Sequence, residues 1–129
     1  MLTRPIDDKQ CQELLNSLVE SGGASYWFDG EDKTDGYAVA HNKVSATFPR
    51  EILGTYNYGV YDLVRCLANM ACDYNLDGLG FWYDKDSGVV YIDGIFHIQS
   101  RKLAIAVGYT YNQIAIYDLM NDEEIRLPG

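Results

Sequence analysis

The hydrophobic period of this chain changes from helical to alternating, and that change limits the fold more than any other feature. A helix is predicted over residues 56–74, with Asn57 as its N-cap, from apolar residues at positions 60, 63, 64, 67, 71 and 74. Beyond it the period is two, in four segments at residues 79–83, 89–98, 103–109 and 113–119. A run of strands after a helix favours an α+β protein over a parallel β-α repeat.

Local signals add a first helix and a tight turn. Asp7 and Asp8 suit a helix start, and Gly22 with Gly23 suits a stop, so we expect a helix over residues 7–21. The Asp- and Gly-rich segment 84–88 predicts a turn between two strands. The third alternating segment also fits a short helix over residues 101–108 that ends at a glycine, and we favour the helix.

The region between the two long helices predicts a hairpin. Residues 26–28 and 36–40 are β-prone and flank an acidic turn, and residues 44–48 extend the sheet until Pro49. The turn carries four carboxylates, which we interpret as a solvated tip, with a metal site or a phosphate-like surface as the functional alternative: Asp29, Glu31, Asp32 and Asp35.

Length and composition are consistent with one folded domain. The chain has 129 residues, 47% of them hydrophobic, with only 3 prolines, so we expect a single two-layer α+β domain over residues 1–129, its helices packed on an antiparallel sheet. The net charge of -9 makes a basic nucleic-acid-binding face improbable. No apolar run approaches the roughly 20 residues of a membrane span, and no signal segment precedes the first helix, so we expect no membrane partner and a cytoplasmic protein.

Sequence motifs give little support for a metal, a cofactor or catalysis. Residues 73–84 have the spacing of an EF-hand loop, but Gly80 and Asp84 replace its usual apolar residue and Glu, so we expect an ordinary turn and no metal. The 3 cysteines match no zinc spacing and are expected to be packed, reduced thiols. Nucleotide-cofactor and hydrolase signatures are absent from the sequence, so we predict a protein that is not an enzyme and needs no cofactor. We expect His41 and His97 to have structural roles.

A few residue types suit the recognition of a nucleotide, although each also has a structural explanation. The 11 tyrosines and the aromatic pair Phe81 and Trp82 offer stacking surfaces, or simply strand packing. Arg101 can bind phosphate through its guanidinium group. The remaining candidates can supply backbone N–H groups or side-chain amides, or can form turns: Gly22, Gly23, Ala24, Asn112 and Gln113.

Four segments together resemble a family of small phage proteins, the Thoeris anti-defence sponges. The segments lie at residues 21–25, 35–39, 79–93 and 112–119, the last reading Asn-Gln-Ile-Ala-Ile-Tyr-Asp-Leu. The resemblance implies a homo-oligomer that captures cyclic ADP-ribose immune signals between protomers and holds them uncleaved in the host cytoplasm. It also implies, for some members, separate sites for cyclic oligonucleotides. The aromatic stretch at residues 56–61 matches no part of the family pattern.

Three functional hypotheses follow. The first is sequestration of a cyclic nucleotide signal, with Phe81 or Trp82 at the base, Arg101 and Gly23 at the pyrophosphate, and Asn112 beside them. The second is an acidic inhibitor or nucleic-acid mimic that binds a host restriction or CRISPR protein. The third, which has the least support, is an enzyme that degrades the signal through His97 and Asp93.

Overall fold

The computed structural model describes residues 6–54 and 57–128, which form three α-helices and a six-stranded antiparallel sheet. The helices are α1 (Asp8–Ser21), α2 (Asn57–Asp73) and α3 (Arg101–Thr110). The strands are β1 (Gly23–Trp27), β2 (Tyr37–Pro49), β3 (Gly78–Asp84), β4 (Val89–Ile98), β5 (Ala115–Asp118) and β6 (Glu123–Arg126), and a 3-10 helix covers Arg50–Gly54. The strand order is β1-β3-β4-β2-β5-β6. The predicted α+β fold, with helices on an antiparallel sheet, is confirmed.

Both ends of α1 lie where the sequence predicts them. The Asp7 carboxylate accepts the Gln10 N–H at 2.7 Å, and the Gln10 side chain accepts the Asp7 N–H at 3.0 Å, which is a capping box. At the other end Gly22 adopts a left-handed conformation with φ of 85° and donates its N–H to Leu18. These caps satisfy backbone groups that a helix end otherwise leaves unpaired.

The prediction for α2 is confirmed for its helix and for most of its buried face, but Tyr74, predicted to end that face, lies beyond the helix and is 45% exposed. Val60, Val64, Leu67 and Ala71 recur at helical spacing and are all buried. Beyond the end of α2, the Leu76 N–H bonds to the Ala71 carbonyl at 2.8 Å. Residues 55–56 and the proposed capping side chain of residue 57 lie outside the described part of the structure.

The turn between β3 and β4 is also as predicted. The Asp84 carboxylate accepts the Asp86 N–H at 3.0 Å and the Ser87 hydroxyl at 2.9 Å, which bends the chain locally. Gly88 then takes a φ of 71°, a conformation that costs glycine little. The turn brings β4 back beside β3, so that both strands lie in the interior of the sheet, with β1 on one side and β2 on the other.

The predicted hairpin of residues 26–28 with residues 36–40 is wrong. β1 pairs with β3, whereas β2 pairs with β4 and β5. The acidic segment between β1 and β2 crosses the end of the sheet, beginning where the Phe28 N–H bonds to the Asp77 carbonyl at 3.0 Å. The local turn signal predicted pairing of β1 with β2, but each of them pairs instead with an apolar strand that comes later in the chain, β3 or β4.

At residues 101–108 the helical alternative is correct, but the predicted stop at Gly108 is wrong. A Cβ on Gly108 would lie 2.6 Å from Leu127 Cδ1, so this glycine permits close packing against the segment after β6. The helix continues to Thr110 and is followed by Asn112 with a positive φ of 57°. The strand predicted over residues 113–119 is shorter, and the charged strand β6 was not predicted because it lacks apolar alternation.

All three helices cover the same face of the sheet. Val90 and Ile92 of β4 are fully buried in the cluster under α1 and α2, and Val39 and Ile116 are buried in a second cluster with α3. Phe96 packs against both clusters. Side chains two residues apart share a face, so the second cluster is on the same side as the first. The opposite face of the sheet is left without a helix.

The cysteine prediction is only partly correct. Cys11 is fully buried, and burial raises the pKa of its thiol to about 11. Cys72 is partly buried, but Cys66 is exposed on α2, so it is not the packed thiol that was expected. None of the three forms a disulfide.

Among the helices within the described residues, none is long and apolar enough to cross a membrane.

We expect Gly78→Ala to test the close approach of β1 to β3. A Cβ on Gly78 would lie 2.2 Å from the Tyr26 carbonyl oxygen, so the strands would have to separate. The free energy of unfolding, measured by chemical denaturation, should fall by about 2–3 kcal/mol. Gly23→Ala is the matched control, because its Cβ would lie 3.5 Å from Phe81 O, an ordinary contact. Equal unfolding free energies for the two variants would contradict this packing.

Candidate functional site

The uncovered side of the sheet, here called the open face, carries two neighbouring rows of side chains across β1, β3, β4 and β2. The registers give an aromatic row of Gly23, Trp82, Tyr91 and Thr47. The next positions along the strands give a polar row of Ser25, Gly80, Asp93 and Ser45. Paired residues in an antiparallel sheet project to the same side, so both rows face solvent together.

Trp82 is the most accessible ring on the open face. Its side chain is 50% exposed, and the Tyr91 ring lies beside it with centroids 5.8 Å apart at 31°. Its neighbour across β1 is Gly23 and its same-face neighbour along β3 is Gly80. Because Gly23 bears no side chain, the indole is accessible on that side, and a planar ligand could stack there. On the Gly80 side, the Ile95 side chain reaches over the glycine.

Asp93 is a partly buried acid next to these rings. The Ser45 hydroxyl donates to Asp93 Oδ1 at 2.6 Å. Burial raises the pKa of the Asp93 carboxyl, and the hydrogen bond from Ser45 opposes that shift. A carboxylate with one short hydrogen bond retains several acceptor positions, so Asp93 can accept N–H donors from a ligand.

A register shift in β2 places Ser45 beside Asp93. The pairing of Ala40 with Ile95, continued without interruption, would set Ser45 opposite Val90, which lies on the helix-covered face. The shift between Ala40 and Ser45 sets Ser45 opposite Asp93 instead. A register change by an odd number of residues moves a side chain to the other face of a sheet, so this irregularity creates the polar row.

The segment at residues 28–36 closes one end of the open face. Trp27 and Ile95 lie on this side of the sheet yet are only 5% exposed, and the Trp27 and His97 rings pack edge to face with centroids 5.4 Å apart. His97 Nε2 lies 2.9 Å from the Asp35 carbonyl oxygen, which attaches the segment to β4. The open face therefore ends in an apolar wall beside the polar row.

The carboxylates of this segment are solvated, as expected, although the segment is not a hairpin tip. All four acidic side chains are exposed. Asp29 pairs with Lys33, whose hydrogen bond lowers the pKa of the Asp29 carboxyl. Among the described residues, no group of three or more His, Cys, Asp and Glu side chains is arranged to hold a metal ion.

Five of the sequence-predicted binding residues lie together where β1 meets β3. Gly23 is paired with Trp82 and Ala24 with Phe81, and Gly22 precedes them as the cap of α1. Trp82 and Gly23 belong to the open face. Phe81 is only 3% exposed and packs in the core, so of the two aromatic candidates Trp82 is the accessible one.

Ala24 borders a separate cleft between α1 and β1, with a volume of about 270 Å³. Its lining also includes Gln10, Ser17, Ser25 and Tyr26. The Tyr26 hydroxyl is buried and has no hydrogen-bond partner among the described residues. This cleft opens beside the edge strand and is distinct from the aromatic row.

Arg101, Asn112 and Gln113 lie at the other side of the sheet and are not gathered into one site. Arg101 begins α3 and the other two follow its end, a separation of roughly 15 Å for a helix of this length. The Gln113 side chain donates to the Tyr111 carbonyl at 3.0 Å. β5 is three strand spacings, roughly 14 Å, from β3 across the sheet, and it pairs with β2 at a level six residues further along β4 than Tyr91, roughly another 20 Å, so this region is remote from Trp82.

The residues proposed for an enzyme do not touch. Asp93 and His97 share the open face of β4 but are four residues apart, roughly 13 Å along a strand. Asp93 is bonded to Ser45, and His97 to the Asp35 backbone. A general acid or base must lie within hydrogen-bond reach of its partner, and this pair does not.

His41 has the structural role that the sequence suggests. It is 5% exposed, and its ring packs 4.3 Å from the Tyr111 centroid and 4.9 Å from the Tyr74 centroid. Its Nδ1 accepts the Lys43 N–H at 3.0 Å. Burial lowers the pKa of His41, which favours the neutral ring.

Sequence reasoning missed Tyr91 and Ser45 as site residues and named Asp93 only for catalysis. The signal available was the alternation of residues 89–98, which sets Tyr91 and Asp93 on one face. The position of Ser45 depends on the register shift, which no local pattern reveals.

Comparison with protein-family models, curated proteins and solved structures finds no match.

Two substitutions at Asn112 separate its backbone role from ligand binding. Asn112 has a φ of 57°, so Asn112→Ala should lower the free energy of unfolding by about 1 kcal/mol, whereas Asn112→Gly should not. If the carboxamide contacts the ligand, both variants weaken binding equally in equilibrium dialysis. Full binding by folded Asn112→Gly would exclude the side chain from the site.

Proposed function

We propose that this protein binds and sequesters a cyclic nucleotide immune signal without cleaving it, acting in the cytoplasm of a phage-infected cell. The signal is a cyclic ADP-ribose isomer, with cyclic oligonucleotides as a further ligand class. The observation that carries the proposal is the exposed Trp82 ring between two glycines on the open face. The resemblance of four segments to the Thoeris anti-defence sponges supports the same ligand class.

The aromatic row suits the base of such a ligand. Stacking of a base on an aromatic ring contributes about 1–3 kcal/mol and requires an accessible ring face. Trp82 offers that face, and Tyr91 supports the indole from one side. Both residues belong to β3 and β4, which have a paired strand on each side, so the rings are held on rigid strands and lose little freedom on binding.

The edge of β1 suits the pyrophosphate. Gly22 accepts the Tyr83 N–H at 3.0 Å, and antiparallel pairing alternates, so the Gly23 N–H is directed away from β3. Backbone N–H groups without a bulky side chain can approach an anion closely. Gly23 is the neighbour of Trp82, so base and phosphate contacts can be made by one ligand.

A homo-oligomer is the arrangement in which Arg101 and Asn112 can still contribute to the site at Trp82. One chain holds these groups on opposite sides of the sheet, whereas a second copy can bring its Arg101 to the open face of the first. The described residues of α3 and its flanks also expose large apolar side chains, with Leu103 at 55% and Ile114 and Met120 at 69% exposed. Exposed apolar surface of this kind is often covered by association.

The separation of Asp93 from His97, the pair considered for catalysis, fits capture rather than turnover. A sponge must bind its ligand tightly in the ground state and release it slowly, which requires a preorganised site and no transition-state stabilisation. The net charge of -9 is screened beyond roughly 8 Å at physiological salt, so local groups determine the attraction of an anionic ligand.

Capture and intact release test the proposal. The purified protein is incubated with cyclic ADP-ribose isomers or cyclic oligonucleotides, the protein-free filtrate is analysed by chromatography, and the protein is then heat-denatured and analysed again. We expect depletion followed by release of intact ligand. Trp82→Ala should weaken capture about tenfold or more, since it removes the stacking surface.

Tyr74→Ala serves as the matched control, because Tyr74 is an aromatic residue of similar exposure, 45%, at the end of α2 and away from the open face. It should retain full capture. Depletion of no ligand would contradict the proposal, and so would release of a cleaved product. Salt-sensitive binding to a host restriction or CRISPR protein, with no ligand captured, would favour the acidic-inhibitor hypothesis instead.

A further inference from the structure

The polar row beside Trp82 has no part in stacking or in phosphate binding, yet it is built from defined contacts. Asp93 is partly buried and receives the Ser45 hydroxyl at 2.6 Å. We propose that Asp93, oriented by Ser45, selects the base of the ligand by accepting the exocyclic amine of an adenine ring stacked against Trp82. This inference rests on the proposed function and names the base that the open face accepts.

The geometry of the two rows brings the ring and the acid within reach of one base. Trp82 is paired with Tyr91, and Asp93 is the next residue of β4 on the same face. Diagonal neighbours in an antiparallel sheet lie roughly 7–8 Å apart, so a purine leaning on the indole directs its edge toward the carboxylate.

Gly80 lies between Trp82 and Asp93 on the open face. It is the direct partner of Asp93 and the same-face neighbour of Trp82, so no side chain separates the two. The position of a Cβ on Gly80 would lie 3.2 Å from Ile95 Cγ2, so the Ile95 side chain reaches over Gly80 and contacts the same part of the open face. An indole, a carboxylate and an aliphatic side chain therefore lie next to one another on the open face, which are the groups that a base would contact.

The chemistry of Asp93 favours an amine over a carbonyl. An ionised carboxylate only accepts hydrogen bonds, and the Ser45 hydroxyl leaves acceptor positions on both oxygens. Partial burial without a cationic partner destabilises the charge, which an N–H donor from a ligand would relieve. Adenine presents an amine at its six-position, whereas hypoxanthine presents an oxygen there and carries its N–H at N1, so a hypoxanthine stacked in the same orientation would direct oxygen lone pairs at the carboxylate.

Matched adenine and hypoxanthine ligands test the inference. The probes are a cyclic ADP-ribose isomer with a free six-amino group and its cyclic inosine counterpart, in which an oxygen replaces that amine and N1 carries a proton. We expect the wild-type protein to bind the adenine ligand about tenfold or more tightly in equilibrium dialysis, as for a hydrogen bond to a charged group. A guanine counterpart bound more tightly than adenine would overturn the assignment.

The Asp93→Asn variant tests whether the Asp93 side chain is the source of the preference for adenine over hypoxanthine. A carboxamide can present either its oxygen or its NH₂ group, so the variant should bind both ligands with affinities within about twofold of each other. Thermal unfolding checks that the variant folds, which is expected because burial already favours a neutral group at this position. Asp73→Asn, a substitution of an exposed acid at the end of α2, is the control and should keep the wild-type preference.

The outcomes separate this inference from the proposed function. If the wild-type protein captures neither ligand, the proposed function fails. If it captures both equally, the proposed function stands and selection by Asp93 is wrong. If folded Asp93→Asn keeps the full preference for adenine, the selecting group lies elsewhere and the inference is overturned.

Discussion

The packing of all three helices on one face of the sheet is the constraint on which the rest of the structure depends. Alternate side chains of β3 and β4, such as Leu79, Val90 and Ile92, are removed from water entirely. Burial of such side chains contributes about 1.5–3 kcal/mol each. Because strand side chains alternate, the same strands must present every other residue to the opposite side. The open face is a direct consequence of the one-sided core.

The register shift in β2 allows this one strand to contribute side chains both to the core and to the open face. Val39 and Val44 are both fully buried, although they are five positions apart and a regular strand would place them on opposite faces. The shift between Ala40 and Ser45 lets the strand contribute to both hydrophobic clusters. The same irregularity sets Ser45 beside Asp93. A feature that serves packing thus also builds the polar row.

Local patterns were sufficient for much of the fold and for part of the candidate site. The capping box at Asp7, the turn at residues 84–88 and the helix at α3 depend on residues close in sequence, and they were predictable for that reason. The pairing of β1 with β3 was not, because it joins segments some fifty residues apart and competes with a nearer hairpin. Ser45 was missed for a similar reason, since its face depends on a register shift. Trp82 was predicted from its chemistry alone, and its exposure next to buried Phe81 is a result of alternation.

The central claim, that the open face binds the ligand, is tested most directly by the indole N–H signals of the two tryptophans in a ¹⁵N NMR spectrum. Trp82 is 50% exposed on the aromatic row, whereas Trp27 is 5% exposed under the segment at residues 28–36. Trp82→Phe assigns the signals by removing one of them. On titration with a cyclic ADP-ribose isomer, we expect the Trp82 signal to shift strongly and the Trp27 signal to move little. A bound ligand that leaves the Trp82 signal unchanged would contradict the account.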